Sequence, residues 1–189
     1  MNVASAQENE LIEGCLKGKA RSQEMLYKHY YGYAMAICLR YANGKDEAKE
    51  ILNDSFFKVF TKISQYDPKN PFRAWLRRIV INTAIDYYRR QQKHQYAVDI
   101  QEIEYEESDA SVLDRLSAED ILLLMQKLPE HYRLVFNLYE LEGYSHEEIS
   151  KQLGIPESTS RTHLSRAKSK LREYIQKYFS TTAYEKSLR

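Results

Sequence analysis

Residues 145–172 are the part of this sequence that constrains its fold most. Glu148 follows Ser145 by three residues, which is the spacing of a helix capping box. Gly154 then marks a turn, and Pro156 pre-sets the first turn of a second helix rich in Arg, Lys, Ser and Thr. This order is typical of a helix-turn-helix, whose second helix lies in the major groove of DNA. The alternative is an ordinary helical hairpin with a solvated basic face, but the order of cap, turn, proline and basic helix favours DNA binding.

The helices of this motif have an apolar side and a polar side. Their apolar residues predict the packed side: Ile149, Leu153, Ile155, Leu164, Ala167 and Leu171. The outward residues of the second helix are the candidate DNA contacts: Ser158, Thr159, Arg161, Thr162, Ser165, Arg166 and Lys168. An Arg guanidinium can pair bidentately with a guanine edge, whereas Ser, Thr and Lys side chains can bind phosphates.

The low content of turn residues favours long helices along the whole chain. Only 6 Gly and 4 Pro occur among 189 residues. Apolar residues recur at helical spacing, and the predicted helices cover residues 7–17, 20–41, 45–63 and 72–92, with four more between 117 and 178. We therefore predict an all-α fold of two small helical domains, residues 8–94 and 115–180, joined by an acidic linker, residues 95–114.

The near-neutral net charge of +1 conceals a strong alternation along the chain. Residues 1–94 carry a net charge of +6 and residues 115–189 a net charge of +2, whereas residues 95–114 contain seven acidic residues and no Lys or Arg. At about 3.3 Å per residue, a linker of this length can extend over about 66 Å, or roughly 19 base pairs of duplex. Two positive domains could therefore contact separate stretches of one DNA molecule.

A second basic segment lies between residues 69 and 93. It contains one acidic residue, Asp86, and seven basic ones: Lys69, Arg73, Arg77, Arg78, Arg89, Arg90 and Lys93. Aromatic residues are interleaved with them: Phe72, Trp75, Tyr87 and Tyr88. Cations that follow phosphates, with aromatic faces near unstacked bases, suit single-stranded or melting DNA. For Phe72 and Trp75 individually, a place in the core is the favoured interpretation.

Catalysis is not indicated by any motif in the sequence. The run His146-Glu147-Glu148 lacks the spacing of a zinc-protease helix, and phosphate-binding loops, nucleophile elbows and Cys/His clusters are absent from the sequence. We predict no enzyme activity, no metal and no cofactor. Cys15 and Cys38 are expected to be core thiols of a cytoplasmic protein. The sequence contains no signal peptide and no run of about 18 apolar residues, so no membrane insertion is expected.

Three stretches in this order resemble the sigma-70 family of bacterial transcription initiation factors, specifically the short extracytoplasmic-function (ECF) group. The first is DEAKEILNDSFFKVF, which resembles the region-two helix that docks on the clamp coiled coil of RNA polymerase. The second, FRAWLRRIVINTAIDYYRR, resembles the segment at the edge of the melting promoter. The third, residues 128–171, resembles region four, which reads the minus-thirty-five element. The resemblance implies a sigma factor that directs core RNA polymerase to promoter DNA, with an anti-sigma factor as a further expected partner.

The resemblance also implies roles for individual residues. The pattern of the helix at 45–63 alone favours an ordinary core helix. The resemblance instead implies that this helix contacts the polymerase through Asp46, Glu47, Glu50, Ile51, Asn53, Asp54 and Phe57. Residues 66–71 correspond to the loop that captures an extruded base of the minus-ten element. With the basic segment, the expected minus-ten contacts are Tyr66, Lys69, Asn70, Arg77, Asn82, Asp86, Arg89 and Arg90. Arg161, Thr162, Ser165 and Arg166 fall at the minus-thirty-five readers.

This sequence departs from the family pattern in three places. Asn53 stands where Gln is common, and Ser160 stands where an apolar residue is usual beneath the second helix. The loop YDPKNP carries two prolines and indicates no particular base. Two other interpretations stay open: a stand-alone helix-turn-helix regulator whose N-terminal helices dimerise or sense a ligand, and a helical adaptor that binds only proteins.

Overall fold

The computed structural model describes residues 6–92 and 117–187. The chain divides between residues 95 and 96 into two compact units. Every regular element of the described residues is helical, so the prediction of an all-α fold with two helical domains is confirmed. The domain boundaries remain predictions, and the acidic linker at 95–114 lies outside the described residues, as does Lys93. No helix within 6–92 or 117–187 combines the length and apolar character needed to cross a membrane.

Within residues 6–92, the first unit contains four helices. They are α1 (Ala6–Leu16), α2 (Ala20–Tyr41), α3 (Lys45–Lys62) and α4 (Phe72–Gln92), with a short 3-10 turn at Ile63–Gln65 after α3. The apolar stripes of α2, α3 and α4 meet in one core whose innermost side chains include Leu26, Ile37, Leu52, Phe72, Leu76 and Val80. Apolar residues at helical spacing account for this packing, as the sequence pattern predicts.

The shortest helix of this unit, α1, packs closely on α2. A Cβ atom at Gly14 would lie 2.0 Å from Ser22 Oγ, so only a glycine allows this approach. Gly18 adopts φ +69 in the turn that joins the two helices. Cys15 and Cys38 are buried and unpaired, and burial raises the pKa of Cys38 to about 12. The prediction of two core thiols is confirmed.

The second unit contains α5 (Ala118–Gln126), α6 (Glu130–Phe136), α7 (His146–Leu153) and α8 (Glu157–Ser187), and α6 continues as a π-helical turn at Asn137–Leu141. Ser145 and Glu148 form the predicted capping box at the start of α7. Gly154 ends α7 in the left-handed conformation with φ 67. Local sequence signals therefore determine where α7 begins and ends, and so where α8 starts.

One charged residue, Arg133, lies in the core of the second unit with 1% of its surface exposed. Its Nη1 donates hydrogen bonds to the carbonyl oxygens of Gln126 (3.1 Å) and Leu128 (3.4 Å), where α5 ends. The Gln126 carbonyl lies in the last turn of α5 and the Leu128 carbonyl lies just after it, and the C-terminal end of a helix favours a cation. Arg133 thereby connects the end of α5 to α6.

Candidate nucleic-acid and protein interfaces

The N-terminal part of α8 presents the polar residues that the sequence predicted. Ser158, Arg161 and Thr162 are exposed, whereas the other predicted contacts are half-buried: Thr159, Ser165, Arg166 and Lys168. The opposite side packs as expected at Ile149, Leu164 and Ala167, which are buried, while Leu153, Ile155 and Leu171 are only partly covered. The exposed end of this helix therefore carries two hydroxyls and a guanidinium that could meet a DNA groove.

Ser160 lies on the buried side of α8, at the position where the resemblance implies an apolar residue. Its side chain is 0% exposed, and Ser160 Oγ shares a hydrogen bond of 2.9 Å with His146 Nδ1 at the start of α7. The His146 ring in turn stacks on Tyr139, with ring centroids 4.5 Å apart. Burial lowers the pKa of His146, and Arg161 acts in the same direction. A buried hydroxyl is thus accommodated because an imidazole from the neighbouring helix satisfies it.

Each cation predicted on α8 contacts a residue of its own unit. Arg161 lies 3.1 Å from the Glu157 carboxylate, one turn earlier on the same helix. Arg166 donates to the Tyr132 hydroxyl (3.3 Å), and Lys168 pairs with Glu140 (2.7 Å). The Arg161 pair is exposed, so it contributes little stability and can exchange for a DNA partner at small cost. Arg166 and Lys168 are held against α6 and the turn that follows it.

The predicted protein-binding face of α3 is largely on the surface. Asp46, Glu50, Asn53 and Asp54 are exposed, and Glu47 is half-buried. Phe57 has 70% of its surface exposed, the highest fraction among the large exposed apolar residues of the described chain. An exposed aromatic ring beside several carboxylates is the composition of a contact surface for an apolar and basic partner.

Ile51 was expected in this contact set, and the structure corrects that expectation. Its side chain is only 1% exposed and belongs to the core of the first unit. The residue therefore supports the α3 surface from beneath and does not form part of it. The cause is the geometry of the helix, because Ile51 lies on the same side as the buried Ala48 and Ser55.

The predicted minus-ten residues divide into two groups. Lys69, Asn70, Asn82, Asp86, Arg89 and Arg90 are exposed, and Arg77 is half-buried. Tyr66 is 9% exposed and packs against Phe72 and Trp75, so little of its side chain is accessible for direct contact with DNA in this conformation. Phe72 is buried, as favoured, whereas Trp75 is only half-buried.

Polar contacts join α3 to α4 between residues predicted to bind the polymerase and residues predicted to bind the minus-ten element. Arg90 lies 3.3 Å from Asp54, and Lys58 lies 2.9 Å from Asp86. The Tyr87 hydroxyl donates to Glu50 at 2.9 Å. Lys58 was missing from the predicted sites, and Tyr87 was named only as an aromatic residue of the basic segment, because a periodicity within one helix does not reveal which residues face the next.

Metal ligands do not cluster in the part of the chain that the structure describes. Within residues 6–92 and 117–187, no group of three His, Cys, Asp or Glu side chains could hold a metal ion. Taken together, fold and surfaces define a helical protein with a helix-turn-helix in its second unit and a mixed acidic and basic surface in its first.

Comparison with known proteins identifies the family to which this helix-turn-helix protein is similar. A family model described as sigma-70 region 2 matches residues 26–94, and one described as sigma-70, region 4 matches residues 118–171. The RNA polymerase sigma-H factor of Pseudomonas aeruginosa is 26% identical over 186 residues, which cover 92% of this chain and 96% of that protein. The ECF RNA polymerase sigma-E factor of Escherichia coli K12 is 26% identical over 178 residues, covering 88% and 93%.

Two solved structures are also similar to this chain. The structure of CnrH in complex with the cytosolic domain of CnrY covers 90% of this chain and 97% of the matched chain, with 23% identity and a TM-score of 0.46. The sigma factor RpoE in complex with the anti-sigma factor NepR, from Bartonella quintana, covers 81% and 96%, with 19% identity and a TM-score of 0.48.

The two family models together match well over half of this chain, with region two before region four. The chain therefore belongs to the sigma-70 family of RNA polymerase sigma factors, in its extracytoplasmic-function group. It is a transcription initiation factor, and its partners are core RNA polymerase and promoter DNA.

Proposed function

We propose that this sigma factor uses three surfaces to place core RNA polymerase on a promoter. The observation that supports this most directly is that both regions occur in one chain, and each exposes several of the polar side chains that the family resemblance assigns to contacts. The chain itself performs no chemistry in this proposal, and the polymerase carries out nucleotidyl transfer. Its place of action is the cytoplasm, and an anti-sigma factor stays an expected partner.

The first surface is the outward face of α3, which binds the clamp coiled coil of the polymerase. Phe57 supplies apolar area, because 70% of its surface is exposed and can be buried against the polymerase. Glu50 and Asp54 supply negative charge beside it. Such a surface prefers a partner with an apolar core and basic rim.

The second surface comprises the loop at 66–71 and the exposed side of α4, and it binds the minus-ten element while that element opens. Lys69 and Asn70 lie at the exposed part of the loop, where an amide can hydrogen-bond a base edge and an ammonium can bind a phosphate. Arg89 and Arg90 lie near the end of α4, where they can contact the flanking phosphates.

The third surface is the N-terminal end of α8, which enters the major groove of the minus-thirty-five element. Arg161 is the principal reader, because it is exposed and its pair with Glu157 exchanges easily. Ser158 and Thr162 flank it and can bind phosphates. Arg166 contributes from a position already fixed by Tyr132.

The test is run-off transcription with purified core polymerase on a promoter selected from a randomised library. Phe57→Ala should reduce co-elution with the polymerase. Arg161→Ala should leave co-elution intact and weaken minus-thirty-five recognition by about 10-fold to 100-fold, the cost of one bidentate base contact. Lys28→Ala is the matched control, because Lys28 is an exposed residue of α2 outside all three surfaces.

The proposal fails as a whole if the chain does not associate with core polymerase and does not change where transcripts begin. It fails at one surface if the corresponding variant behaves like Lys28→Ala. Asn70→Ala tests the loop separately, since its expected effect is on promoter opening and not on co-elution.

A further inference from the structure

The loop at 66–71 is closed by a side chain from its own first residue. The Tyr66 hydroxyl donates a hydrogen bond of 2.6 Å to the backbone carbonyl of Asn70. This bond joins the two ends of the loop just before Pro71, whose carbonyl accepts from the backbone amides of Ala74 and Trp75 in the first turn of α4. The path of the exposed loop is thus fixed at both of its ends.

Asp67 fixes the same loop from its exposed side. Its carboxylate accepts from the Lys69 backbone amide (3.0 Å) and from the Asn70 side-chain amide (3.4 Å). Its carbonyl also accepts from the Asn70 backbone amide at 3.0 Å. This is the behaviour of an Asx turn, in which a carboxylate replaces a backbone acceptor. The side chain of Asn70 is thereby oriented as well as its backbone.

The Tyr66 ring holds these contacts in position relative to the core. Its centroid lies 5.2 Å from that of Phe72 and 5.5 Å from that of Trp75, both in the first turn of α4. Phe72 is 1% exposed and also packs against Tyr30 of α2 at 5.2 Å. Burial raises the pKa of Tyr66, and the charges of Glu8 and Asp67 add to this effect. The hydroxyl therefore keeps its proton and remains a donor.

We propose that Tyr66 is a positioning residue for promoter opening: it sets the loop in its base-accepting shape before DNA arrives, while Asp67 aims the Asn70 amide. This inference rests on the proposed role of the loop in capturing a minus-ten base. An extruded base has already lost its stacking energy, so a loop that also had to be ordered on contact would capture it less well. A pre-ordered loop removes that second cost.

The same pre-ordering favours one base over the others. A fixed Asn70 amide offers its donor and acceptor in one orientation, and a base with the wrong edge leaves that amide unsatisfied. A loop without the closing hydrogen bond could turn the amide to suit several bases. Tyr66 thus acts on base preference through Asn70, without touching the base.

The experiment uses the full chain with core polymerase and four versions of one promoter, which differ only in the base at the captured position. Tyr66→Phe retains the ring and removes the donor. We expect roughly three- to tenfold slower open-complex formation on the preferred promoter, from the loss of one hydrogen bond, and a smaller spread of rates among the four promoters. Co-elution with polymerase should be unchanged. Tyr33→Phe is the control, because Tyr33 contributes its ring face to Arg73 and lies on α2.

A second pair of variants avoids the buried ring. Asp67 is exposed, so Asp67→Ala should leave the fold intact and reduce both the rate and the base preference. Asp67→Asn keeps a carbonyl acceptor for the Lys69 amide and should restore most of the preference. If both Tyr66→Phe and Asp67→Ala slow opening equally on all four promoters, the residues serve stability alone and the inference is overturned.

Asn70→Ala distinguishes failure of this inference from failure of the proposed function. If Asn70→Ala abolishes the base preference while Tyr66→Phe and Asp67→Ala leave it intact, the loop captures the base but is not pre-ordered by these residues. If Asn70→Ala and Lys69→Ala both leave opening unchanged, the loop is not the capture site, and both proposals fall at this surface.

Discussion

Acidification should destabilise the second unit through His163. This imidazole lies half-buried on α8, with its ring centroid 4.8 Å from that of His131 and 5.2 Å from that of Tyr132. Burial lowers the pKa of His163 from its ordinary value of 6.5 to about 4, and the neighbouring His131 and Arg166 act in the same direction. Burial lowers the pKa of His131 as well. The folded unit therefore disfavours protonation of both rings.

The direction of the effect follows from which state takes up the proton. Because the folded pKa is below the unfolded one, the unfolded chain binds the proton first as the pH falls. The stability contributed by neutral His163 is therefore complete above pH 6.5 and is lost as the pH falls through about 4. The difference between the two pKa values corresponds to about 3 kcal/mol in the free energy of unfolding. About 2 kcal/mol of this is lost by pH 5.

The measurement is urea unfolding of the full chain at pH 7.5 and pH 5.0, followed by NMR signals of residues 130–175. The chain has a single tryptophan, Trp75 in the first unit, so fluorescence reports that unit separately. His163→Gln should remove most of the difference in the free energy of unfolding of the second unit between the two pH values. The same substitution at His29, an exposed residue of the first unit, should leave it unchanged. A second unit equally stable at both pH values, or an undiminished difference in His163→Gln, would refute the reasoning.

Three further predictions concern single side chains. Arg133→Leu removes two charge-assisted hydrogen bonds to backbone carbonyls and should lower the free energy of unfolding of the second unit by about 3 kcal/mol. A loss below about 1 kcal/mol would contradict the assigned role. Ser160→Ala leaves the His146 nitrogen without its partner and should cost about 1 kcal/mol in urea unfolding, whereas Ser160→Ala in a His146→Phe background should cost clearly less. Phe57→Ala should change stability by less than about 0.5 kcal/mol, since the ring is exposed, and any larger loss would mean that the residue is structural.

Much of the second unit could be predicted from local sequence signals. Ser145 and Glu148 act at the start of α7 and Gly154 at its end, and the structure places the capping box and the left-handed helix end where these residues occur. Ser160 shows where such reasoning stops. It departs from the expected apolar residue, and only the packing of α7 on α8 reveals that His146 supplies its partner.

The first unit shows the same limit at Ile51 and Tyr66. A resemblance assigns a role to a position, but it does not state whether the side chain at that position faces solvent. Ile51 belongs to the apolar stripe of its own helix and could have been placed in the core from periodicity alone. Tyr66 lies in a loop, which has no periodicity, so its burial follows only from the aromatic cluster formed with α4.

The contacts between α3 and α4 affect how variants of the first unit must be interpreted. Asp54 is assigned to the polymerase and Arg90 to DNA, yet the two side chains lie 3.3 Å apart. Both are more than half exposed, so their pair contributes little stability and each can take another partner. Removal of Asp54 nevertheless changes the position and charge environment of Arg90. A defect of Asp54→Ala can therefore be assigned to polymerase binding only if Arg90→Ala and the double variant show that the two effects add.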